Sequence, residues 1–334
     1  MRRYELIANL VFVFQVVAAI AVAGLPAAQS GDGSSTPAQG PTQHAKYGMI
    51  LRAQGGGFRG VLGTMTVPAD WPGQQRVRVV EREIPPGATV TYKIVEDAGR
   101  QMIIRVPMLP AGRETKVAVT FEIELLPGLP VPEDTERFTV PDRAGLGRKM
   151  ATYLAPSPHI ESDAPELLKT AEEVVGSQAG AWAKVQAIEQ WVFTNIKYQD
   201  NRGKRQGVPE TLSAQAGDCD EKNSLAVALC RACRIPARLV RVPRHCCYEF
   251  YLLDGEGKGH WIFADASARG TIAPNTPVGP VILQKGDNFE IIDPATKRRV
   301  KDRFLADTVT GVPTVRGAQL RLELISPATG GRAP

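Results

Sequence analysis

This chain of 334 residues contains few aromatic residues and no large excess of charge of either sign. Its cysteines are confined to one short segment. Aromatics make up 6% of the chain, and 40 basic residues against 35 acidic ones give a net charge of +5. The five cysteines lie within 29 residues, at positions 219, 230, 233, 246 and 247, so they cannot staple the whole protein. Scattered basic residues argue against nucleic-acid binding, which needs a concentrated basic footprint.

The composition is that of a soluble globular protein, with 43% hydrophobic and 22% charged residues. Its length predicts two domains. One basic run, Lys297-Arg298-Arg299 with Lys301 and Arg303 nearby, is interpreted as a solvated strand or turn.

The first 28 residues predict export. Arg2 and Arg3 precede a mostly apolar stretch from Leu6 to Leu25, and small residues follow as far as Ala28, which is typical of a secretory signal peptide. The stretch approaches the roughly 20 residues that a bilayer requires, so a retained N-terminal membrane anchor is the alternative. Either interpretation places the rest of the chain beyond the membrane, with no membrane contact expected except through such an anchor.

The remainder predicts an α+β protein. Residues 29–46, rich in Gly, Ser, Thr and Pro, predict a flexible linker. Residues 47–127 predict an antiparallel β-sandwich domain, because apolar and polar residues alternate in short runs separated by turn residues. A Pro-rich break at 127–132 suggests a boundary before a second domain at 140–310, and 311–334 is expected to form a C-terminal strand and tail.

Helices are predicted in the second domain from about Ser162 to Val175 and from Trp182 to Ile196. Another is expected to follow Gly217-Asp218-Cys219 and to end at Ile235-Pro236. Cys219 would then lie at a helix N-terminus, where free backbone N–H groups and the helix dipole stabilise a thiolate and can contribute to an oxyanion hole. Asp218 is expected to cap this helix.

A thiol nucleophile requires a base, and the base requires an orienting acceptor. His245 opens a strand-like segment, and Asp265 ends the next one. Two adjacent antiparallel strands can set such a pair side by side, so Cys219, His245 and Asp265 are the predicted catalytic triad.

The surrounding motifs resemble the transglutaminase-like superfamily over about residues 150–270. The similar segments are Gly217-Asp218-Cys219, Arg231-Ala232-Cys233-Arg234-Ile235-Pro236-Ala237-Arg238-Leu239-Val240, His245-Cys246-Cys247-Tyr248-Glu249, Trp261-Ile262-Phe263-Ala264-Asp265 and the upstream Trp191-Val192 with Ile196-Lys197-Tyr198. The resemblance implies a papain-like α+β domain whose nucleophile helix packs on an antiparallel sheet. It also implies Cys219 as nucleophile, His245 as general base and acid, and Asp265 as orienter, with no cofactor.

Two positions depart from the family pattern: Arg234 replaces a usual Gly, and Cys247 replaces a usual aromatic beside the base. Cys247 is therefore expected to affect the shape of the pocket. Further candidates for substrate or oxyanion contacts are Asp218, Asp220, Glu249 and Trp191, although Glu249 is equally expected as a structural acceptor and Trp191 more as a core residue. His260 is expected to be a surface or strand histidine.

The other cysteines leave two structural alternatives. Cys230-x-x-Cys233 together with His245-Cys246-Cys247 offers ligands for zinc, but the first pair falls inside a helix without the turn that such a site uses. A disulfide between one helix cysteine and Cys246 or Cys247 is the favoured expectation for an exported protein.

The function predicted from the sequence is acyl transfer or hydrolysis on protein or peptide amides, through a thioester on Cys219. The rival hypothesis is a catalytically silent transglutaminase-like fold that acts as an envelope-associated binding module. Retention of all three triad residue types favours the enzyme.

If Cys219 is the nucleophile, iodoacetamide at neutral pH will label it faster than the other four cysteines, because only the thiolate attacks the reagent. Mass spectrometry of the labelled peptides measures the five rates separately. Labelling of Cys219 no faster than that of an ordinary buried cysteine would contradict the enzyme hypothesis.

Overall fold

The computed structural model describes residues 41–126, 133–201, 204–268, 280–293, 296 and 298–327. These described residues belong to one compact unit. The predicted signal peptide or anchor and the Pro-rich break at 127–132 lie outside the described residues and stay predictions. Within the described ranges, no helix is long and apolar enough to cross a bilayer.

Within residues 41–126, six strands are separated by the predicted turns. They are β1 (Thr42–Gln54), β2 (Phe58–Val67), β3 (Gln75–Glu83), β4 (Thr89–Val95), β5 (Gly99–Leu109) and β6 (Glu114–Leu125). The period-two pattern of β6 predicts its buried face correctly, since Val117, Val119, Phe121 and Ile123 are fully buried. The predicted linker at 29–46 extends too far, because β1 already begins at Thr42 and pairs there with β6.

Helices dominate the middle of the chain. After two short 3₁₀ helices (Thr135–Arg137 and Arg143–Gly145), they are α1 (Arg148–Thr152), α2 (Pro165–Val175), α3 (Ala181–Asn195), α4 (Val208–Ala214) and α5 (Cys219–Ala232). The helices predicted around 162–175 and 182–196 are confirmed as α2 and α3, and the helix expected after Asp218 is confirmed as α5.

Among the described residues, ten further strands follow α3. They are β7 (Lys197–Tyr198), β8 (Ala216–Gly217), β9 (Ala237–Val242), β10 (His245–Leu253), β11 (Gly259–Ala264), β12 (Gln284–Lys285), β13 (Phe289–Ile292), β14 (Arg299–Asp302), β15 (Thr308–Pro313) and β16 (Gln319–Ile325). Small two-stranded sheets are formed by β7 with β8 and by β13 with β14.

Two larger sheets make up the architecture. One has the strand order β16-β1-β6-β3, and the other has the order β11-β10-β9-β12-β5-β2-β15, with β4 also paired to β5. Side chains from β1 and β6 meet those from β2 and β5 in one hydrophobic core, which gives the expected sandwich. The C-terminal strands complete it, since β16 pairs with β1 and β15 pairs with β2.

The eight-stranded sheet contains strands from both predicted domains, 47–127 and 140–310. Gln284 of β12 pairs with Gly99 of β5 on one side and with Arg241 of β9 on the other. Gly99 has a φ of +141°, and a side chain on it would meet the backbone carbonyl of Leu283, so this close approach requires glycine.

A second hydrophobic core holds α5 against β9 and β10. Leu225 and Leu229 are fully buried from the helix side, and Tyr248 and Phe250 are fully buried from the strand side. Because α5 is covered on nearly all faces, its N-terminus is held in a fixed position relative to β10. The chain is therefore a mixed α+β protein in which a buried helix packs on an antiparallel sheet.

Ile123→Ala is expected to lower the free energy of unfolding by about 2–5 kcal/mol, because Ile123 is fully buried in the sandwich core. The matched variant Ile94→Ala removes the same atoms from a side chain that is 69% exposed and is expected to cost less than about 1 kcal/mol. Urea denaturation of both variants measures the difference. Equal losses would contradict the assignment of this core.

Candidate active site

Cys219 is the first residue of α5, and the turn before it is fixed by reciprocal capping. The Asp218 side chain accepts a hydrogen bond from the Asp220 N–H at 2.9 Å, and the Glu221 carboxylate accepts one from the Asp218 N–H at 3.3 Å. This capping box confirms the expected role of Asp218. The Cys219 thiol lies at the positive end of a 14-residue helix, where a thiolate is stabilised.

His245 and Asp265 come together because their strands are neighbours. His245 opens β10, Asp265 directly follows β11, and these strands pair antiparallel. His245 Nε2 lies 2.7 Å from Asp265 Oδ2. The other carboxylate oxygen accepts hydrogen bonds from the Ser267 N–H at 2.9 Å and the Ser267 hydroxyl at 2.6 Å. The carboxylate therefore fixes the orientation of the imidazole ring, as a triad requires.

The pKa values of this pair shift in opposite directions. The hydrogen bond with Asp265, followed by interactions with the Cys219 and Cys247 thiols, raises the pKa of His245 well above its ordinary range. Burial opposes ionisation of Asp265, but the hydrogen bonds from His245 and Ser267 hold its pKa below the ordinary value. Together these shifts favour a charged imidazolium beside an ionised carboxylate.

The Cys219 thiol and the His245 imidazole line one cavity. The thiol donates a long hydrogen bond to Asp220 Oδ1 at 3.8 Å. Since Nε2 faces Asp265, Nδ1 is the ring nitrogen that remains for a thiol proton. The structure thus brings together the three residues that the sequence singled out: Cys219, His245 and Asp265.

A fourth residue, Asn223, organises these three and was missed by the sequence reasoning. Its buried side-chain amide donates to the Cys219 carbonyl at 3.0 Å, the Cys246 carbonyl at 2.9 Å and Asp265 Oδ1 at 3.1 Å, and its oxygen accepts from the Ala266 N–H at 2.9 Å. Its position four residues after Cys219, on the same helix face, is the signal that could have identified it.

The cavity in front of Cys219 has a volume of about 490 Å³ and is lined by both basic and acidic side chains. Its charged lining residues are Arg205, Arg241, Arg244, Asp218, Asp220 and Asp307. Arg241 is paired with Asp307 at 2.8 Å, and Arg205 is paired with Asp302 at the cavity edge. Apolar lining comes mainly from Val242, Phe304 and Leu305. The cavity can therefore accept a peptide segment that has polar groups.

Asp218 and Asp220 lie in this cavity, as predicted for substrate or oxyanion contacts. Burial, together with the neighbouring Glu221 carboxylate, raises the pKa of Asp218 to about 7. Burial also raises the pKa of Asp220. Because the Asp220 N–H is occupied by the Asp218 side chain, this backbone group is committed to the cap.

The prediction that the basic run is solvated is wrong for Arg303, which is buried. Its side chain is 1% exposed, and it donates to Glu221 Oε1 at 2.6 Å and to the Ser224 hydroxyl at 3.0 Å. It lies directly after β14, which returns the chain to the first turn of α5. Arg303, which was predicted to be solvated, therefore anchors the first turn of α5.

Glu249, Trp191 and Cys247 do not line the cavity, contrary to the expectation for substrate contacts. Cys247 is buried in a small apolar cluster with Val240, Val242 and Ile282. Glu249 is fully buried between Arg238, at 2.8 Å, and Lys285. Burial alone would raise its pKa, but these two cations lower the pKa to about 2, so Glu249 is a structural anion. Trp191 packs half-buried against the core of α5.

All five cysteines are free thiols, so the expected disulfide is not formed. Cys230 and Cys246 are fully buried among apolar side chains, where free cysteine packs as a small hydrophobe. In the described chain, Cys230 and Cys233 belong to no cluster of metal-binding donor atoms, so the zinc alternative built on them finds no support. His260 lies buried in β11, 2.6 Å from Asp254, so it is a strand histidine and not a surface one.

Comparison with known proteins agrees with the motifs. Residues 168–266 match the transglutaminase-like superfamily. The structure of a proposed cysteine protease from Cytophaga hutchinsonii has 19% sequence identity and a TM-score of 0.55, over 87% of this chain and 93% of that chain. The periplasmic domain of TgpA from Pseudomonas aeruginosa has 14% identity and a TM-score of 0.32, over 67% and 90% respectively. No curated protein matches this chain. The superfamily resemblance and the α+β fold are thus confirmed.

Asn223→Leu is expected to lower the free energy of unfolding by about 2–4 kcal/mol, because it leaves several buried hydrogen-bonding groups without their partner. The Cys219 labelling rate with iodoacetamide should fall as well, since the helix start loses its tie to β10. The matched control is Asn195→Leu, which removes one exposed bond to the Trp191 carbonyl and should cost less than about 1 kcal/mol. Indistinguishable behaviour of the two variants would contradict the positioning role of Asn223.

Proposed function

We propose that this protein is a thiol enzyme that transfers the acyl group of protein or peptide amides through Cys219. One observation carries the proposal: a helix-terminal thiol lines the same cavity as an imidazole that a carboxylate holds at 2.7 Å. The match of residues 168–266 to the transglutaminase-like superfamily supports the same chemistry.

In the first step, the Cys219 thiolate attacks a carboxamide or peptide carbonyl and a carbon–sulfur bond forms. His245, protonated by the thiol, delivers that proton to the departing nitrogen as the carbon–nitrogen bond breaks. Asp265 keeps the ring oriented and stabilises the imidazolium throughout. The product is a thioester on Cys219 and a free amine or ammonia.

In the second step, His245 removes a proton from an incoming nucleophile, which attacks the thioester and restores the thiol. Water gives hydrolysis, and a substrate amine gives a new amide cross-link. We favour hydrolysis, since the bacterial-type members of this superfamily include proteases and peptidases.

The cavity supports a peptide substrate. Its volume of about 490 Å³ is in the range of small ligand pockets, and its walls offer apolar contacts beside charged groups of both signs. Exported proteins or peptides are the proposed substrates, because the first 28 residues have the pattern of a signal peptide or membrane anchor.

The decisive experiment incubates the protein with a glutamine-containing protein and a fluorescent primary amine. Incorporation of fluorescence is expected for transfer and fragmentation is expected for hydrolysis, and gel electrophoresis separates the two outcomes. Cys219→Ala is expected to lower either activity by at least about 10³-fold, because the nucleophile is lost.

The control variant is Cys233→Ala, which removes a half-buried thiol at the other end of α5 and outside the cavity. It should keep its activity. If neither wild type nor control shows incorporation or fragmentation, the acyl-transfer proposal fails and the catalytically silent binding module is favoured.

A further inference from the structure

Arg244 occupies a backbone position that glycine would occupy at lower cost. Val242 of β9 pairs with His245 of β10, so Pro243 and Arg244 form a two-residue turn between these strands. Proline fixes its own φ at about −65°, and Arg244 has a φ of +59°. These are the φ signs of a type II turn, whose second central residue is usually glycine because a side chain there is strained. A long side chain held at such a position indicates a function for that side chain.

The turn places the Arg244 side chain at the reacting groups. Arg244 is exposed and lines the cavity together with Cys219 and His245. It directly precedes His245, the residue that delivers a proton to the departing nitrogen in the proposed reaction. We therefore expect the guanidinium to contact the amine side of a bound amide.

Arg244 differs from the other two arginines of the cavity wall in having no carboxylate partner within the described residues. Arg241 is paired with Asp307 at 2.8 Å, and Arg205 is paired with Asp302. The charges of these two arginines are thus largely balanced inside the protein. The positive charge of Arg244 remains available to a ligand.

The two acids beside Cys219 balance this cation only in part. The Asp218 side chain is engaged by the Asp220 N–H, and burial together with the Glu221 carboxylate raises the pKa of Asp218 to about 7. Asp220 accepts the long hydrogen bond of the thiol, and burial raises the pKa of Asp220 as well. Both shifts reduce negative charge in the cavity near neutral pH, which favours the entry of an anion.

We propose that Arg244 selects substrates that have a carboxylate on the amine side of the amide attacked by Cys219. A guanidinium can donate two parallel hydrogen bonds to one carboxylate, which provides both affinity and orientation. The carboxylate is either the side chain of an aspartate or glutamate or the free C-terminus of a peptide. Selection of substrates rests on the proposed function, whereas attraction of a carboxylate to the cavity does not depend on turnover.

The test compares the alkylation of Cys219 by iodoacetate and by iodoacetamide in the full-length protein. Both reagents form the same kind of sulfur–carbon bond as iodide leaves, but one has a carboxylate where the other has a neutral amide. Mass spectrometry of the labelled peptides gives the rate at Cys219 for each reagent. The ratio of the iodoacetate rate to the iodoacetamide rate is expected to exceed that of free cysteine by at least about tenfold, because Arg244 attracts the carboxylate.

Arg244→Gly is expected to lower this ratio by at least about fivefold, because the unpaired cation is lost. Arg244→Lys should keep most of the preference, and Arg244→Glu should lower the ratio below that of Arg244→Gly by repulsion. The matched control is Arg234→Gly. Arg234 is also an exposed arginine, with a φ of +63°, but it follows α5 and does not line the cavity. This control should keep the wild-type ratio.

A folding defect does not account for the expected loss. Both Arg244→Gly and Arg234→Gly place glycine at a left-handed φ, which glycine adopts without strain. Neither variant should therefore lower the midpoint of thermal unfolding, which circular dichroism measures.

Peptides distinguish the two sources of the carboxylate in an active preparation. Three peptides blocked at both ends have Glu, Gln or Lys directly after the cleaved bond, and a fourth has the Gln residue with a free C-terminal carboxylate. A kcat/KM at least about tenfold higher for the Glu peptide than for the blocked Gln peptide identifies a side-chain carboxylate, and the same preference for the fourth peptide identifies a C-terminus. Either preference should be lost in Arg244→Gly and kept in Arg234→Gly.

An equal alkylation ratio in wild type and Arg244→Gly would overturn the inference, as would equal turnover of all four peptides. An active enzyme with either result keeps the proposed function. Conversely, a preference for iodoacetate that depends on Arg244, in a protein that transfers no acyl group, overturns the proposed function and leaves carboxylate recognition intact.

Discussion

The arrangement of this protein depends on one buried amide, the side chain of Asn223. It joins the first turn of α5 to the backbone of β10 and to the Asp265 carboxylate, so three segments distant in sequence share a single hydrogen-bonding group. Because Asn223 is fully buried, the loss of these hydrogen bonds would be costly. The relative position of thiol and imidazole is therefore set by a residue that does neither of their chemical tasks.

Buried ion pairs hold the elements around this amide in place. Arg303 forms an ion pair with Glu221 at the start of α5, and Arg231 forms one with Asp287 at 2.8 Å near the end of this helix. Glu249 forms ion pairs with both Arg238 and Lys285. Burial lowers the pKa of Lys285 to about 8 despite its carboxylate partner. Such pairs add little net stability but strongly penalise alternative arrangements in which one partner is buried alone.

The sequence predicts the local parts of this structure well, because their signals are local. Periodicity locates the strands of the sandwich and the helices α2 and α3, and the Gly-Asp-Cys turn locates the start of α5. The residues Cys219, His245 and Asp265 are also identified by motif. The sequence does not reveal the role of Arg303 or the continuity of the sheet through β12. Both depend on contacts between residues far apart in the chain. The expected disulfide is wrong for a related reason: cysteine spacing does not say which thiols pack alone in a core.

The pairing of β1 with β16 has a consequence for how this chain is made. Gly48 lies opposite Ile325, so the first sandwich sheet gains its outer strand only after synthesis has passed Ile325. The segment with α5, β9 and β10 is synthesised earlier and has its own hydrophobic core. Contacts of such wide sequence separation form slowly, and strand edges that wait for a partner are sites of aggregation. Chaperone binding during synthesis would therefore be most valuable on the exposed edge of β1.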